Sequence, residues 1–259
     1  MIVRALGVSL VLAVSLAAQP PLDLCAENPQ SGRERHCEAR EEILTGQTAL
    51  DVDPGRNGSV HVRGWSRQDV RLRTRVEGHA DAASRARELV AAVRVTTLAG
   101  RIRTDGPMAL DNEHWSTSLY LDVPANTQLA INTNNGGISL EEFSGAAVLR
   151  ASNGSIRLRA AAGNIKGQTQ NGGLHIELAG SRWEGEGLDV ETRNGSVRLT
   201  LPANYSADFE TGTVHGRVTI DFPVTIQSGK ERRYTAKLGS GGPKVRAVTT
   251  NGSVIVVRQ

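Results

Sequence analysis

Six stretches of the chain share one pattern: TNNGGISL at 133–140, ASNGSIRL at 151–158, TQNGGLHI at 169–176, TRNGSVRL at 192–199, TVHGRVTI at 213–220 and TTNGSVIV at 249–256. The shared pattern is Thr-x-Asn-Gly-(Ser/Gly)-apolar-x-apolar, and a looser copy, RNGSVHV, occurs at 56–62. The repeat glycines follow one another at intervals of 18, 18, 23, 21 and 36 residues. The last interval is twice 18, which suits one further, degenerate copy. Such self-similarity is typical of repeat proteins.

Each copy combines a turn signal with a strand signal. Asn and Gly both tolerate positive φ, and apolar residues alternate on either side of them. The pattern fits a chain of antiparallel hairpins, or one corner of a solenoid coil that recurs once per turn. The constant register favours the solenoid, in which like residues stack about 4.8 Å apart. We therefore predict an all-β, parallel β-helix-like solenoid domain over residues 47–259.

The solenoid model can be checked against the apolar positions. The twelve positions that it turns inward are all aliphatic: Ile138, Leu140, Ile156, Leu158, Leu174, Ile176, Val197, Leu199, Val218, Ile220, Val254 and Val256. The next outward row begins Glu141, Arg159 and Glu177. Stacked in register, these three side chains form a ladder of alternating charge, which is favourable between neighbouring strands. Hairpins would not obviously bring them together.

The sequence before the repeats predicts further strands and one helix. Residues 47–62 form a first β stretch with an Asn57-Gly58 turn, and 70–76 continue with period two. Residues 80–94 are rich in Ala, Arg and Glu, which predicts one inserted α-helix. Short strands are predicted within 95–103 and 118–123.

The end of the sequence follows directly on the last repeat. After the final Asn-Gly corner come only residues 253–259, so no cap is left for the last strand. We expect this C-terminal edge strand to pair with a second copy or a partner. Two alternatives would prevent this: the loop 227–244 folding over the edge, or Arg258 acting as a charged gatekeeper.

The N-terminus has the layout of a secretory signal peptide. Arg4 precedes an uncharged apolar run over 5–16, and small residues follow at Ala17 and Ala18. We predict a signal peptide over residues 1–18 and an exported protein of the periplasm, cell surface or extracellular space. An uncleaved anchor is the alternative, although the run is shorter than the roughly 20 residues that span a bilayer. Leu24 before Cys25 does not fit a lipoprotein site.

Residues 19–46 are predicted to form an irregular N-terminal segment. The chain has two cysteines, Cys25 and Cys37, and an even number in an exported protein predicts one disulfide. A metal site built from both cysteines and His36 is the competing interpretation. Adjacent His and Cys ligands do not match common zinc spacing.

Composition argues against two classes of ligand. The net charge is +3, and the arginines are scattered rather than clustered, so nucleic-acid binding is not predicted. Aromatic residues make up 3% of the chain and do not recur with the repeat, so no aromatic platform for sugars is implied.

No catalytic, cofactor-binding or metal-binding residue is predicted. The central outward row places Arg157, His175 and Arg198 on successive coils as a candidate surface ladder, for which a plain exposed row is the alternative. That row contains no Asp or Glu. Asp51 and Asp53 are the nearest acidic pair, and we interpret them as a solvated turn edge rather than an acid–base or metal site. The glycine-rich stretch 239–244 contains Pro243 and no following helix pattern, unlike a phosphate-binding loop.

Several segments in order resemble the bacterial "putative adhesin" family of β-strand-repeat proteins, a domain of unknown function. They are NGSVHVRGW at 57–65, the following helix, LDVP at 121–124, the repeats, LPA at 201–203 and DFP at 221–223. The resemblance covers residues 47–259. It implies a parallel β-helix-like domain on or near the cell envelope, and no catalytic residue is transferred by it.

We expect an exported structural or adhesin-like protein whose partner is an envelope protein or a surface glycan. A glycan-active lyase or hydrolase on a β-helix scaffold is a second hypothesis, and carboxylates lining a groove between coils would support it. An envelope-stress accessory protein that binds another protein is a third.

Overall fold

The computed structural model describes residues 24–26, 33–221, 226–230 and 232–259, the backbone alone for 226–230. The predicted signal peptide, residues 1–18, lies outside the described residues, as do Phe222 and Pro223. Within the described residues, no helix has the length and apolar character needed to cross a membrane.

The N-terminal part contains seven strands and one helix. Their bounds are β1 Glu34–Leu44, β2 Ala49–Asp53, β3 Gly58–Trp65, β4 Val70–Ala80, α1 Ala83–Ala92, β5 Arg94–Leu98, β6 Arg101–Asp105 and β7 His114–Pro124. The repeats begin after β7. Their strands are β8 Gln128–Asn135, β9 Ile138–Glu141, β10 Ala146–Asn153, β11 Ile156–Arg159, β12 Asn164–Asn171, β13 Leu174–Glu177, β14 Gly187–Asn194, β15 Val197–Leu201, β16 Ala207–His215, β17 Val218–Asp221, β18 Ile226–Lys230, β19 Arg233–Leu238, β20 Lys244–Asn251 and β21 Val254–Arg258.

The strands form two long sheets. Sheet A has the order β1-β4-β7-β3-β9-β11-β13-β15-β21-β17, and sheet B has the order β18-β19-β16-β20-β14-β12-β10-β8-β2-β6-β5. Each repeat supplies one strand to sheet B and, after the Asn-Gly corner, one strand to sheet A. Neighbouring repeat strands pair in parallel, for example β10 with β12 and β11 with β13. The predicted solenoid is therefore confirmed, and antiparallel hairpins between repeats are excluded.

The core lies between the two sheets. Ten of the twelve predicted inward residues are at most 3% exposed. The other two, Val218 and Ile220, are half-buried and pack against the core from the edge strand β17. Continuous stacking of aliphatic residues in both sheets forms one apolar column, in which each coil buries the faces of its neighbours.

The prediction of an uncapped C-terminal edge strand is wrong. Strand β21 pairs with β15 on one side and with β17 on the other, and β20 likewise lies between β14 and β16. The last repeat in sequence thus occupies an interior place in the stack. Its backbone groups are paired on both sides, so self-association through a C-terminal edge strand has no physical basis.

The long interval before the last repeat does not hold the suggested degenerate coil in its described residues. It contains the antiparallel pair β18 and β19, and β19 pairs antiparallel with β16. This hairpin extends sheet B beyond the last coil. The edges of the two sheets at this end are therefore β17 in sheet A and β18 in sheet B.

Part of the segment predicted to be irregular is a strand. Residues 34–44 form β1, which pairs antiparallel with β4 along eleven residues. Its sequence, ERHCEAREEIL, is mostly charged, which suits an exposed edge. The predicted disulfide between Cys25 and Cys37 is present, with Cα atoms 5.8 Å apart, and it fastens residues 24–26 to β1.

The predicted helix is confirmed as α1. Its buried residues, Ala86, Leu89 and Val90, form a second apolar cluster with Val76 and Ala80 of β4, Val93 and Trp115. Strands β1, β4 and β7 are eleven residues long, whereas the repeat strands of sheet A have four or five. The helix covers the part of these strands that extends past the coils.

Candidate ligand-binding face

The corner of each coil fixes where the outer side chains of sheet A stand. Six asparagines stack there and are joined by five hydrogen bonds of 2.8–3.0 Å, in each of which Nδ2 donates to the Oδ1 of the asparagine in the neighbouring coil. The series runs from Asn251 through Asn194, Asn171, Asn153 and Asn135 to Asn57, which only accepts. The asparagine of the motif therefore joins adjacent coils. It is a ladder residue, which the turn propensity of Asn alone does not predict.

The corner glycines are required by crowding. A Cβ on Gly154 would overlap the carbonyl oxygen of Gly136, and a Cβ on Gly172 would overlap that of Gly154. None of Gly136, Gly154, Gly172, Gly195 and Gly216 has a positive φ. At these five corners the close approach of stacked backbones is the reason for glycine, whereas Gly252, the corner glycine of the last repeat, also has a φ of +155°.

The threonine of the motif satisfies the crowded carbonyls. Thr169 Oγ1 donates to the carbonyl of Gly154 over 2.7 Å, and Thr192 Oγ1 donates in the same way to Gly172. Both threonines are buried. A buried carbonyl without a partner is costly, so this bond explains why a polar residue recurs inside the coil.

The structure brings Arg157, His175 and Arg198 to neighbouring register positions on β11, β13 and β15. We call these three residues the cationic row. All three are exposed on the outer face of sheet A. The row continues through Ser139 and His61 on one side and Ile255 and Thr219 on the other.

The two arginines of the cationic row have no carboxylate within 4.0 Å among the described residues. In contrast, the adjacent Arg159 forms an ion pair with Glu141, as the alternating-charge ladder predicted. Glu177 accepts a hydrogen bond from Gln259 Nε2 over 3.4 Å. The face therefore holds two guanidinium groups with no ion-pair partner in the part of the chain described.

His175 lies between these two arginines. Partial burial of the ring lowers the pKa of His175 below its ordinary 6.5, and the positive charges of Arg157 and Arg198 lower it further. A Cβ on Gly173 would come within 3.0 Å of Nε2 of His175. Glycine at this motif position, where other copies have serine, therefore leaves room for the imidazole.

His61 forms a second histidine position on the same face. Its ring stacks on Tyr120 of β7 at 4.8 Å between centroids. Nδ1 lies 2.9 Å from Ser139 Oγ and Nε2 lies 3.2 Å from Ser59 Oγ, so one ring nitrogen donates and the other accepts. Burial, and then the charges of Arg157 and Arg75, lower the pKa of His61.

Tyr120 is a residue of this face that sequence reasoning missed. It lies on β7, outside the repeats, and only the parallel pairing of β7 with β3 brings it next to His61. The one available signal is the alternation of apolar residues through 118–123, which predicts a strand but not its partner.

The side chains around the cationic row line an open groove of about 310 Å³. Its polar wall is formed by Ser139, Glu141, Arg157, Arg159, His175, Glu177, Arg198 and Thr200. The groove offers hydrogen-bond donors at its centre and carboxylates along one margin. Such an arrangement suits a ligand with both anionic and hydroxyl groups.

The acidic pair noted in the sequence is engaged elsewhere. Asp51 forms an ion pair with Arg103, and Asp53 Oδ1 accepts a hydrogen bond from the Gly55 N–H over 2.9 Å. Both aspartates lie on β2 in sheet B. No group of three or more His, Cys, Asp or Glu side chains with metal-binding geometry occurs among the described residues.

The alternative metal site at the N-terminus is also ruled out in this structure. Cys25 and Cys37 are joined to each other, so neither offers a thiolate. His36 lies 3.6 Å from Glu38, measured from Nε2 to Oε1.

Sheet B presents a different surface. Arg246 of β20 forms ion pairs with Asp189 and Glu191 of β14 and with Glu210 of β16. It is 17% exposed. Arg150 and Arg193, also on the outer face of sheet B, are exposed and have no carboxylate within 4.0 Å in the described ranges.

Comparison with known proteins identifies a family. The family model Toastrack DUF4097 matches residues 58–256. This match confirms the resemblance to β-strand-repeat proteins seen in the sequence. A search of curated proteins finds no match.

Solved structures with a similar chain path include three bacterial proteins. One is a putative cell adhesion protein from Clostridium sporogenes, with 11% identity, a TM-score of 0.41, and coverage of 86% of this chain and 100% of that one. A putative adhesin from Bacteroides fragilis has 8% identity, a TM-score of 0.31, and coverage of 86% and 97%. A putative lipid binding protein from Parabacteroides distasonis has 9% identity, a TM-score of 0.32, and coverage of 85% and 96%.

Proposed function

Since the chain belongs to the Toastrack DUF4097 family, we propose that it is an exported, adhesin-like protein without catalytic activity. In this proposal it binds a ligand of the cell envelope, or of a neighbouring surface, through the outer face of sheet A. The observation on which the proposal rests is the cationic row, in which two arginines without an ion-pair partner among the described residues are held in register on an exposed sheet face.

Export is supported by two features of the N-terminal part. The first 18 residues have the layout of a signal peptide. The disulfide between Cys25 and Cys37 suits an oxidising compartment such as the periplasm or the exterior of the cell.

Binding through the outer face of sheet A is supported by the rigidity of that face. The outer side chains of sheet A stand on strands of four or five residues whose corners are joined by the asparagine ladder. A face that is already ordered loses little conformational entropy when a ligand binds. Stacked coils also place one outer side chain of the row about every 4.8 Å, which suits an extended ligand.

A non-catalytic role is supported by the chemistry of the face. The pair formed by His61 and Ser139 resembles a base and a nucleophile, but the second ring nitrogen of His61 faces Ser59 rather than a carboxylate. A serine offers no negative charge to stabilise an imidazolium. The lowered pKa of His61 also makes the ring a poorer base.

The experiment is a localisation and binding assay with the full-length chain. Cells that produce the protein are separated into cytoplasm, periplasm, membranes and medium, and the mature purified protein is then added to intact bacterial cells. We expect the protein outside the cytoplasm, processed near residue 18, and retained by the cell surface. Exclusive cytoplasmic location, or no retention on any cell surface tested, would contradict the proposal.

A matched pair of variants assigns the binding to one face. Arg157→Gln with Arg198→Gln removes two charges from sheet A, whereas Arg150→Gln with Arg193→Gln removes two from sheet B. Retention should fall for the first variant and persist for the second. Equal retention by both variants would show that the sheet A face is not the binding surface.

A further inference from the structure

The spacing of the cationic row defines the shape of a ligand. Arg157 and Arg198 lie on strands separated by one intervening strand, β13. Since neighbouring strands lie about 4.8 Å apart, the two arginines are on the order of 10 Å apart along the row. A linear molecule with anionic groups at intervals can contact both.

The surroundings of the row add groups that bind hydroxyls. Thr200 and Ser139 carry side-chain hydroxyls, and Glu141 and Glu177 supply carboxylates at the margin of the same groove. A carboxylate accepts hydrogen bonds from sugar hydroxyls, whereas it repels a bare polyanion. The groove thus combines sites for anions with sites for neutral hydroxyl donors.

On the basis of the proposed function, we propose that the cationic row is a binding subsite for a linear acidic polysaccharide. Its carboxylate or sulfate groups would bind Arg157 and Arg198, and its chain would cross β11, β13 and β15. His175 would lie beneath the unit between the two anionic groups.

The same residues argue against an anionic membrane as the ligand. On the outer face of β9, β11, β13 and β15, three arginines stand against two glutamates, so the net charge is small while His175 is neutral. Adsorption to a membrane needs a larger net positive charge or exposed apolar side chains. The large exposed apolar residues of the described chain, Ile43, Leu98, Met108, Leu110, Val148 and Val214, all lie outside these four strands.

Protonation of His175 would strengthen anion binding. The charged groups near it are Arg157 and Arg159 on β11, Arg198 on β15 and Glu177 on its own strand. A bound anion would oppose the two arginines of the row, which disfavour the imidazolium in the free protein. Affinity should therefore rise as the pH falls through and below 6.5, the ordinary pKa of histidine.

The experiment measures binding of the mature protein to four probes. They are alginate as a polyuronate, dextran sulfate, neutral dextran, and vesicles of anionic phospholipid. We expect binding to alginate, dextran sulfate or both, which separates carboxylate from sulfate as the recognised group, with weak binding to dextran and vesicles. Arg157→Gln with Arg198→Gln should weaken that binding about tenfold or more, since charge-assisted hydrogen bonds are lost.

Controls separate this inference from general charge effects and from the proposed function. Arg150→Gln with Arg193→Gln removes the same charge and should leave affinity within about twofold. Equal loss in both double variants, or binding to vesicles alone, would overturn the inference. Retention on cells without binding to either acidic polysaccharide would also overturn it while leaving the proposed function in place. Failure of the protein to bind cells at all would refute the proposed function itself.

Discussion

Each corner glycine of the solenoid lies against the carbonyl oxygen of the glycine in the preceding coil. A methyl group at Gly172 would overlap the carbonyl of Gly154, which is itself fixed by the hydroxyl of Thr169. We predict that Gly172→Ala lowers the free energy of unfolding by about 1–3 kcal/mol or more, as overpacking does in other ordered interiors. Chemical denaturation followed by circular dichroism would measure this.

The control for that substitution is the next residue along. A Cβ on Gly173 meets only the end of the His175 ring at 3.0 Å and a backbone oxygen of Ser196 at 3.2 Å, and equivalent positions of other repeats are occupied by Ser155 and Ser196. Gly173→Ser should therefore cost much less than Gly172→Ala. Equal destabilisation by the two substitutions would show that crowding at the corner is not the cause.

The half-buried His61 of sheet A should make stability depend on pH. Burial lowers the folded-state pKa of His61, so the unfolded chain binds the proton more readily. The contribution is fully present above pH 6.5 and is lost as the pH falls from 6.5 towards the folded-state pKa.

His61→Gln keeps one donor and one acceptor for Ser59 and Ser139 but cannot titrate. We predict that the decrease in unfolding free energy between pH 6.5 and 5 is smaller in this variant than in the wild type. Denaturant titrations at several pH values would measure the difference. Parallel pH profiles for the two proteins would mean that His61 is not a source of the acid sensitivity.

At the scale of elements, one arginine forms ion pairs with both neighbours of the inserted strand β20, which lies between β14 and β16. Arg246 joins all three strands, and its removal would leave Asp189, Glu191 and Glu210 close together with less compensating charge. We predict that Arg246→Gln lowers the free energy of unfolding by about 1–3 kcal/mol, as loss of a charged hydrogen-bond network does.

The comparison variant for Arg246 is Arg193→Gln on β14. Arg193 is exposed and has no carboxylate within 4.0 Å in the part of the chain described, so its replacement should change stability by no more than about 0.5 kcal/mol. If both variants unfold at the same denaturant concentration, Arg246 does not fasten the inserted strand.

The interior position of the C-terminal strand pair makes a second prediction at this scale. The amides of β21 are enclosed by β15 and β17, whereas β17 is an edge of sheet A. In native-state hydrogen exchange, amides within residues 254–258 should exchange more slowly than those within 218–221, because edge strands open at lower cost. Faster exchange at 254–258 would indicate that the chain end lies at the edge after all.

The sequence predicts the individual coils well, but it does not predict the order in which they stack in the sheets. The twelve aliphatic positions and the constant Thr-Asn-Gly corner determine the strands, their register and the two-sheet core. Every copy carries the same pattern, so nothing in the pattern distinguishes a neighbour in sequence from a neighbour in space. The place of β20 and β21 depends instead on particular pairs such as Arg246 with Asp189, which are visible only once the strands are adjacent.

The candidate site also has a part that the sequence predicts and a part that it does not. The cationic row follows from repeat register, and Arg157, His175 and Arg198 occupy the places that register predicts. The contact between His61 and Tyr120 does not follow from repeat register, because β7 lies outside the repeats and pairs with β3 over a long distance in sequence. Whether an arginine has an ion-pair partner also depends on side-chain packing, which the repeat pattern leaves undetermined.

At the scale of the whole molecule, the charged groups considered in the sequence lie on both sheets. Cleavage of an acidic polysaccharide needs a base, an acid and a means to stabilise negative charge at the reacting centre. The cationic row supplies positive charge, but Asp51 and Asp53 lie on sheet B, the opposite sheet, and Asp51 forms an ion pair with Arg103. Of the carboxylates that line the groove itself, Glu141 forms an ion pair with Arg159, and Glu177 accepts a hydrogen bond from Gln259 Nε2.

We predict that the purified protein binds an acidic polysaccharide without shortening it. After prolonged incubation with alginate, neither new reducing ends nor unsaturated uronates should form above the level of a protein-free control, while a polysaccharide lyase run in parallel yields both. Product formation that disappears in His61→Gln or Ser139→Ala would make this face a catalytic site. Product formation that persists in both variants and in Ser59→Ala would point to a contaminating enzyme, because His61 lies within hydrogen-bonding distance of both Ser139 and Ser59.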